Sequence, residues 1–581
     1  MIKLSLPVKR LTTNEISLDL LFLLAFPFVL LLVNDSWSFL TPSLWVDPYI
    51  YEGFFWDLKK NLLLHKAALE FPYYSSRLPW LLMGNAAHSI ASPDTANLIL
   101  RLSLLYVSVL SLYAVVRMAW RNGLAALIAA LVLGANTAFL WSIGWDYVDG
   151  PGITLILLTL ALLTRAATSD SWPVALWLSG VVAATTVSVN IFLVVVMPSL
   201  LVWYLLVNAR RSKHRVDQSV ACMIIGGLSG IGVFGLVNMH LTGDFNYLQA
   251  QIDAARTIDA SAYDTNAFST AGWLVVPGLA AFLSAVALSL VTYLRLSKRS
   301  LSEAEFLGAT SAVCFLLVLG IYLYMQLLTT SEVLMFSYYA NFLLPFAFVV
   351  VGASISLAFT GFAPTPPLRL LAALLAVIGV LAPFIFAELR FARGCPTVCL
   401  SSERIQLLFV AGTGLVALAA LTRSASFALA GLLVLSLVNV NVGDRRIFSF
   451  SEAQSEAGHR RFLMVFDAAS IVRSHNPEGE LRHWLSASDP YGWVYAGVAG
   501  QNLWNARLVG LEFPRIRPSA SLQAGQSLAL YSASKDDAIS SANESLMARE
   551  LHLEVFDQVR VTRGPDSFTI FFTRVTPGSR N

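Results

Sequence analysis

Asp47, Glu52 and Asp57 stand in the stretch WVDPYIYEGFFWDLKK (residues 45–60), three acids and two lysines within sixteen positions of a largely apolar chain. Further on, EFPYYSSRLPWLLMGNAAH (70–88) sets Arg77 among tyrosines and prolines, and WDYVDGPG (145–152) supplies Asp146, Tyr147 and Asp149. A guanidinium can hold a phosphate through two parallel bonds, and a carboxylate can take the proton of an attacking hydroxyl. Two acidic clusters and an arginine on one membrane face therefore suit group transfer: a base for an acceptor hydroxyl and a cation for a phosphate leaving group. Each residue also has a structural use. Asp47 with Pro48 forms an N-cap and N1 pair, Asp149 precedes Gly150 and Pro151 at a helix entrance, and an interfacial arginine snorkels to lipid headgroups. Residue types alone leave both sets of uses open.

The elements that must position these groups follow from composition. Of 581 residues, 56% are hydrophobic and 13% charged, the mean hydropathy is +0.66, and apolar runs of spanning length recur along the chain. This is the pattern of a polytopic helical membrane protein. The net charge of +3 is scattered over short loops, which gives no basis for a nucleic-acid partner. A first span over residues 16–33 follows Lys3, Lys9 and Arg10; it lacks a small-residue cleavage site and is read as retained. Further spans centre near residues 107, 132, 158, 181, 199, 228, 284, 317, 347, 378, 413 and 433, about thirteen in all by hydropathy reading.

The basic residues orient this array. Arg117, Arg121, Arg210, Arg211, Lys213, Arg215, Arg295, Lys298, Arg299, Arg369 and Arg423 all fall in loops assigned to the cytoplasm, as the positive-inside rule asks. The expected protein is multi-pass in the cell (inner) membrane, its N-terminus cytoplasmic. Residues 34–97, 141–150, 239–272 and everything after about 441 then lie outside. Residues 1–441 form the membrane domain and 442–581 a small extracytoplasmic α/β domain, in which RFLMVFDAASIVRSH, SLALYSAS and DSFTIFFTRV read as strands interleaved with helices such as residues 537–551. Cys222 and Cys314 fall inside apolar spans; Cys395 and Cys399, in RGCPTVCL, suit a local disulfide in an outer loop.

Within the first outer loop, residues 49–65 read as an amphipathic surface helix with Ile50, Phe54, Leu58 and Leu62 on one side and Trp45, Tyr49, Tyr51 and Trp56 at headgroup level. At the positive end of that helix the charge on Asp47 is stabilised, which weakens it as a base and moves its role towards orientation.

The arrangement resembles the GT-C superfamily of glycosyltransferases, and its motifs are similar to those of the ArnT-type aminoarabinose transferases and protein O-mannosyltransferases. In the ArnT type the first loop opens with Asp-Glu-x-x-Tyr; here Asp47 and Tyr51 match, with Pro48 at the Glu. The family's Phe-Glu-Lys-Pro-Pro-Leu stretch is similar to YSSRLPWL, with Arg77 at the lysine, Pro79 at a proline and Ser76 at the acid. Its Arg-Tyr-x-x-Pro-like span entrance is similar to SYYANFLLPFAF (337–348), which keeps Tyr339 and Pro345 and lacks the arginine.

The resemblance implies transfer of a sugar from a polyprenyl-phosphate carrier to a glycolipid, glycan or protein acceptor at the outer face, by direct displacement with inversion. It implies Asp47 as base, with Asp149 and Asp146 orienting acceptor or sugar. Arg77 and Tyr339 would take the carrier phosphate, and Tyr51, Glu52 and Tyr147 the substrate. No cofactor is assigned and no metal ligand is carried over, because Pro48 and Ser76 replace the acids. Two other classes compete: a lipid-linked sugar flippase or other transporter, which would want ionisable residues inside its spans and paired repeats, and a non-catalytic scaffold using ASDPYGWVYAG (487–497) to bind a partner.

Overall fold

The computed structural model describes residues 19–28, 46–68, 72–134, 136–144, 148–169, 171–212, 214–257, 301–328, 339, 341–359, 456–475, 482–484, 508–509, 524–532 and 551–577. The expected spans near 284, 378, 413 and 433, Cys395 and Cys399, and the 487–497 stretch lie outside these residues.

Helix α1 (Asp19–Phe28) is the described part of the first expected span. The segment expected as the first outer loop contributes α2 (Val46–Trp56), α3 (Leu58–Ala68) and α4 (Leu78–Ile90), with a 3-10 turn at Pro72–Tyr74. Then follow α5 (Pro93–Trp120), α6 (Gly123–Gly134), α7 (Thr137–Gly144), α8 (Asp149–Ala166), α9 (Trp172–Val189), a 3-10 turn (Ile191–Val196) leading into α10 (Met197–Arg210), α11 (Val216–Thr242) and α12 (Gln249–Thr257). Helix α13 (Glu303–Leu328), a 3-10 turn (Asn341–Leu343) and α14 (Leu344–Phe359) complete the described bundle.

Among the described residues six helical runs are long and apolar enough to cross a membrane: Thr95–Trp120, Asp149–Ala166, Trp172–Val189, Ile191–Arg210, Val216–Thr242 and Glu303–Met325. The protein is a multi-pass membrane protein. The passage expected near 132 is divided: α6 has 12 residues, about 18 Å of rise, and Asn136 then caps α7 by accepting the Phe139 N–H at 3.0 Å.

Small residues set the closest packing. A Cβ on Gly180 would fall 2.1 Å from the Met223 carbonyl oxygen and one on Gly226 2.0 Å from that of Trp177, so only glycine lets α9 and α11 approach this closely. The far side of α11 exposes Ile224, Ile225, Leu228 and Leu236, as a lipid-facing helix does. Among the described residues, two of the basic residues assigned to the cytoplasm meet at the end of α5: Arg211 donates to the Met118 carbonyl (2.6 Å) and pairs with Glu303 (2.6 Å), and Arg117 pairs with Asp19 (3.0 Å).

After the bundle, α15 (Glu456–His475) packs on a five-stranded mixed sheet of β1 (Arg482–Trp484), β2 (Leu508–Val509), β3 (Ser527–Ser532), β4 (Leu551–Arg563) and β5 (Asp566–Pro577), in the order β2-β1-β3-β5-β4. The strands expected in SLALYSAS and DSFTIFFTRV are β3 and β5. RFLMVFDAASIVRSH is helix, not strand: Met464, Val465, Ala468, Ala469 and Val472 are buried at helical spacing. Leu551 opens a strand rather than ending a helix.

Candidate functional site

The expected single surface helix of the first loop is two. Asp57 interrupts it, its carboxylate accepting the Lys60 N–H at 3.2 Å as an N-cap for α3. Ile50, Phe54, Leu58 and Leu62 are all buried on one side, as their spacing requires. Two of the expected headgroup-level aromatics are placed elsewhere. Tyr51 is fully buried, and Trp56 stacks on Phe466 of α15, ring centroids 6.4 Å apart. α2 begins at Val46, so Asp47 occupies its first turn rather than the cap, with Pro48 where an N–H has no intrahelical acceptor.

Arg77 is 6% exposed and does not snorkel. Its Nη1 donates to the Tyr51 hydroxyl, and its guanidinium lies over the rings of Tyr73 (5.0 Å), Tyr51 (5.8 Å) and Tyr74 (5.9 Å). The faces of three phenols around one cation concentrate favourable electrostatics there. The Asp47 backbone lies one helical turn before Tyr51, about 6 Å along the axis. Glu52 is 1% exposed and turned into the α2–α4 interface: His88 Nε2 lies 3.4 Å from its carboxylate and 3.0 Å from Asn97 Oδ1.

A second group surrounds the entrance of α8. Asp149 is its first residue and 0% exposed. A Cβ on Gly150 would meet the Ser142 carbonyl oxygen at 2.7 Å and one on Gly152 the Phe342 ring at 2.6 Å, so the GPG sequence lets α7 and the 341–343 turn close on this helix end. Asn341 Nδ2 donates to Ser142 Oγ at 2.7 Å across that junction. Beside it, the Phe192 ring lies 4.5 Å from Tyr339, 5.5 Å from Tyr322 and 6.4 Å from Phe342. The buried Tyr322 hydroxyl has no hydrogen-bond partner among the described residues. Asp146 and Tyr147 lie outside the described residues.

The 3-10 turn after α9 joins the two groups. Asn190 turns the chain by accepting the Phe192 N–H at 3.1 Å, and the neighbouring Ile191 N–H donates to Gln251 Oε1 at 2.9 Å. Gln251 Nε2 in turn reaches the Ser76 carbonyl, next to Arg77, at 3.1 Å. One short segment thus touches the arginine side through Ile191 and the tyrosine side through Phe192.

No protein-family model and no curated protein sequence matches the chain. Its backbone superposes on ArnT from Cupriavidus metallidurans, solved bound to undecaprenyl phosphate, with a TM-score of 0.54 over 97% of this chain and 98% of that one, at 12% sequence identity. The chain has an ArnT-like fold. The oligosaccharyltransferase of Archaeoglobus fulgidus in its apo form is also similar, at 13% identity over 86% of this chain and 65% of that one; its TM-score of 0.42 is too low to carry an argument.

Within this ArnT-like fold the structure brings Tyr51 and Arg77 together and places Tyr339 beside Phe192. His88, Asn190, Gln251 and Asn341 are the polar residues that sequence reading passed over. Each had a faint signal: a histidine ending an apolar helix, an asparagine dividing two apolar runs, a glutamine in a polar loop, and an asparagine just before Pro345.

Proposed function

We propose that the protein is an integral membrane glycosyltransferase that takes a sugar from a polyprenyl-phosphate carrier and transfers it, with inversion, to a glycolipid, glycan or protein acceptor at the outer face of the membrane. The acceptor hydroxyl attacks the anomeric carbon while the bond from that carbon to the phosphate oxygen breaks. The hydroxyl proton passes to Asp47, and the electron pair leaves on the phosphate, held by Arg77. Positive charge developing on the sugar is the feature the acids must accommodate; Asp149, with Asp146, orients acceptor or sugar. Tyr51 orients Arg77 through their hydrogen bond, Tyr339 lies on the carrier side, and Tyr147 belongs to the substrate surface. Glu52 serves instead to seat α4 on α2, given its burial against His88.

The observation that carries this reading is Arg77: a nearly buried guanidinium in a cage of three tyrosines, one of which, Tyr51, stands one helical turn after Asp47, in a chain with the fold of a protein solved with undecaprenyl phosphate. The test is mass spectrometry of outer-surface glycans and membrane lipids from cells with and without the gene product. A sugar missing from one acceptor, with its polyprenyl-phosphate donor accumulating at the outer leaflet, is the expected result. Unchanged glycans and lipids would refute the proposal.

A further inference from the structure

Gln251 sits on α12, 175 positions from the residue it holds, and is 3% exposed. All three of its described bonds go to backbone: Nε2 donates to the carbonyls of Ser76 (3.1 Å) and Ser188 (2.9 Å), and Oε1 accepts from Ile191 N–H (2.9 Å). The Ser76 carbonyl belongs to the same peptide plane as the Arg77 N–H, so the amide fixes the plane from which the arginine side chain departs. The rest of that backbone is also tied. Arg77 N–H donates to the Tyr74 carbonyl at 3.3 Å, and the Arg77 carbonyl accepts from Trp80 at 3.0 Å and Leu81 at 3.2 Å.

A second tie holds α12 without touching Ser76. The Tyr247 and Ser188 hydroxyls are 2.8 Å apart, and Ser188 gives its own proton to the Ala184 carbonyl at 2.8 Å, so Tyr247 is the donor. Burial pushes the Tyr247 phenol above its ordinary value, which keeps that proton in place.

We infer that Gln251 is a positioning residue for Arg77: its amide clamps the Ser76–Arg77 peptide to the turn between α9 and α10, so the 239–272 segment sets the aim of the phosphate-binding arginine. The inference rests on the proposed function, since it takes Arg77 as the group that meets the carrier phosphate. Loss of the clamp frees the peptide plane and lets the guanidinium leave its tyrosine cage, while Arg77 itself remains.

The experiment is a double-mutant cycle on the full chain in lipid nanodiscs, reading equilibrium binding of undecaprenyl phosphate. Gln251→Met keeps length and loses every bond; Gln251→Glu keeps the acceptor for Ile191 and loses the amide donors, and carries the same test if the methionine variant does not fold. About tenfold weaker binding is expected for either, Tyr247→Phe staying within about twofold of wild type. The combination of Gln251→Met with Arg77→Met is expected to bind no more weakly than Arg77→Met alone, because coupled residues give non-additive losses. Additive losses, or equal losses for Gln251→Met and Tyr247→Phe, would reduce Gln251 to a packing role and overturn the inference. Wild-type binding by the Gln251 variants with a clear loss for Arg77→Met removes the inference and leaves the proposed function. Wild-type binding by Arg77→Met removes both.

Discussion

Asp47→Asn protein is expected to fold, to bind its lipid carrier, and to transfer sugar at least about a hundredfold more slowly than wild type, the usual cost of removing a general base. The substitution keeps side-chain size and leaves Asn in the first turn of α2. The favourable interaction of a carboxylate with the positive end of a helix amounts to at most about 1 kcal/mol at such a site. Chemistry and helix support therefore separate cleanly. If Asp47 only supports the helix, Asn serves nearly as well and turnover stays near normal; if it takes the hydroxyl proton, the amide has no basic oxygen to do so. Single-turnover transfer by purified protein, with thermal unfolding measured in parallel, tells the two apart.

Arg77→Met is expected to weaken polyprenyl-phosphate binding on the order of a hundredfold, since each hydrogen bond to a charged group contributes roughly 1.5–3 kcal/mol and about 1.4 kcal/mol is a factor of ten in affinity. Met retains the length and apolar stem that pack among Tyr51, Tyr73 and Tyr74. Arg77→Lys is expected to stay within about tenfold of wild type: it keeps the charge and loses the planar fork. Titration calorimetry with a short-chain polyprenyl phosphate measures both. Equal weakening by Met and Lys would point to loss of the cage rather than of the charge.

Much of the first loop was legible in the sequence, because periodicity and spacing are local. Ile50, Phe54, Leu58 and Leu62 recur at helical intervals and are all buried, whereas Tyr51 stands out only through the resemblance to the ArnT-type motif and Arg77 through its setting among tyrosines and prolines. The misreadings have physical causes. Tyr51 was placed among headgroups because aromatics favour the interface, whereas a buried cation gives its hydroxyl a better partner. Asp57 was passed over because a charged residue within an amphipathic pattern looks like part of the polar face, not a cap. In residues 461–475, β-branched and aromatic residues suggested strand, but the two alanines and the burial repeat belong to a helix. What no local pattern reveals is a bond such as that from Gln251 to Ser76 or from Asn341 to Ser142: a glutamine in a polar loop and an asparagine before a span acquire meaning only when distant segments meet.

The most direct test of glycosyl transfer follows the fate of the carrier. Purified full-length protein in sealed vesicles is given a polyprenyl-phosphate sugar labelled in both sugar and lipid, together with membrane lipids and glycans of the host as acceptors. Free polyprenyl phosphate is expected to appear one for one with glycosylated acceptor, the new glycosidic bond to have the anomeric configuration opposite to the donor's, and Asp47→Asn to slow the release of carrier and the labelling of acceptor alike by at least about a hundredfold. Recovery of intact donor on the opposite leaflet, with no free polyprenyl phosphate and no labelled acceptor, would contradict it and make the protein a transporter of the lipid-linked sugar.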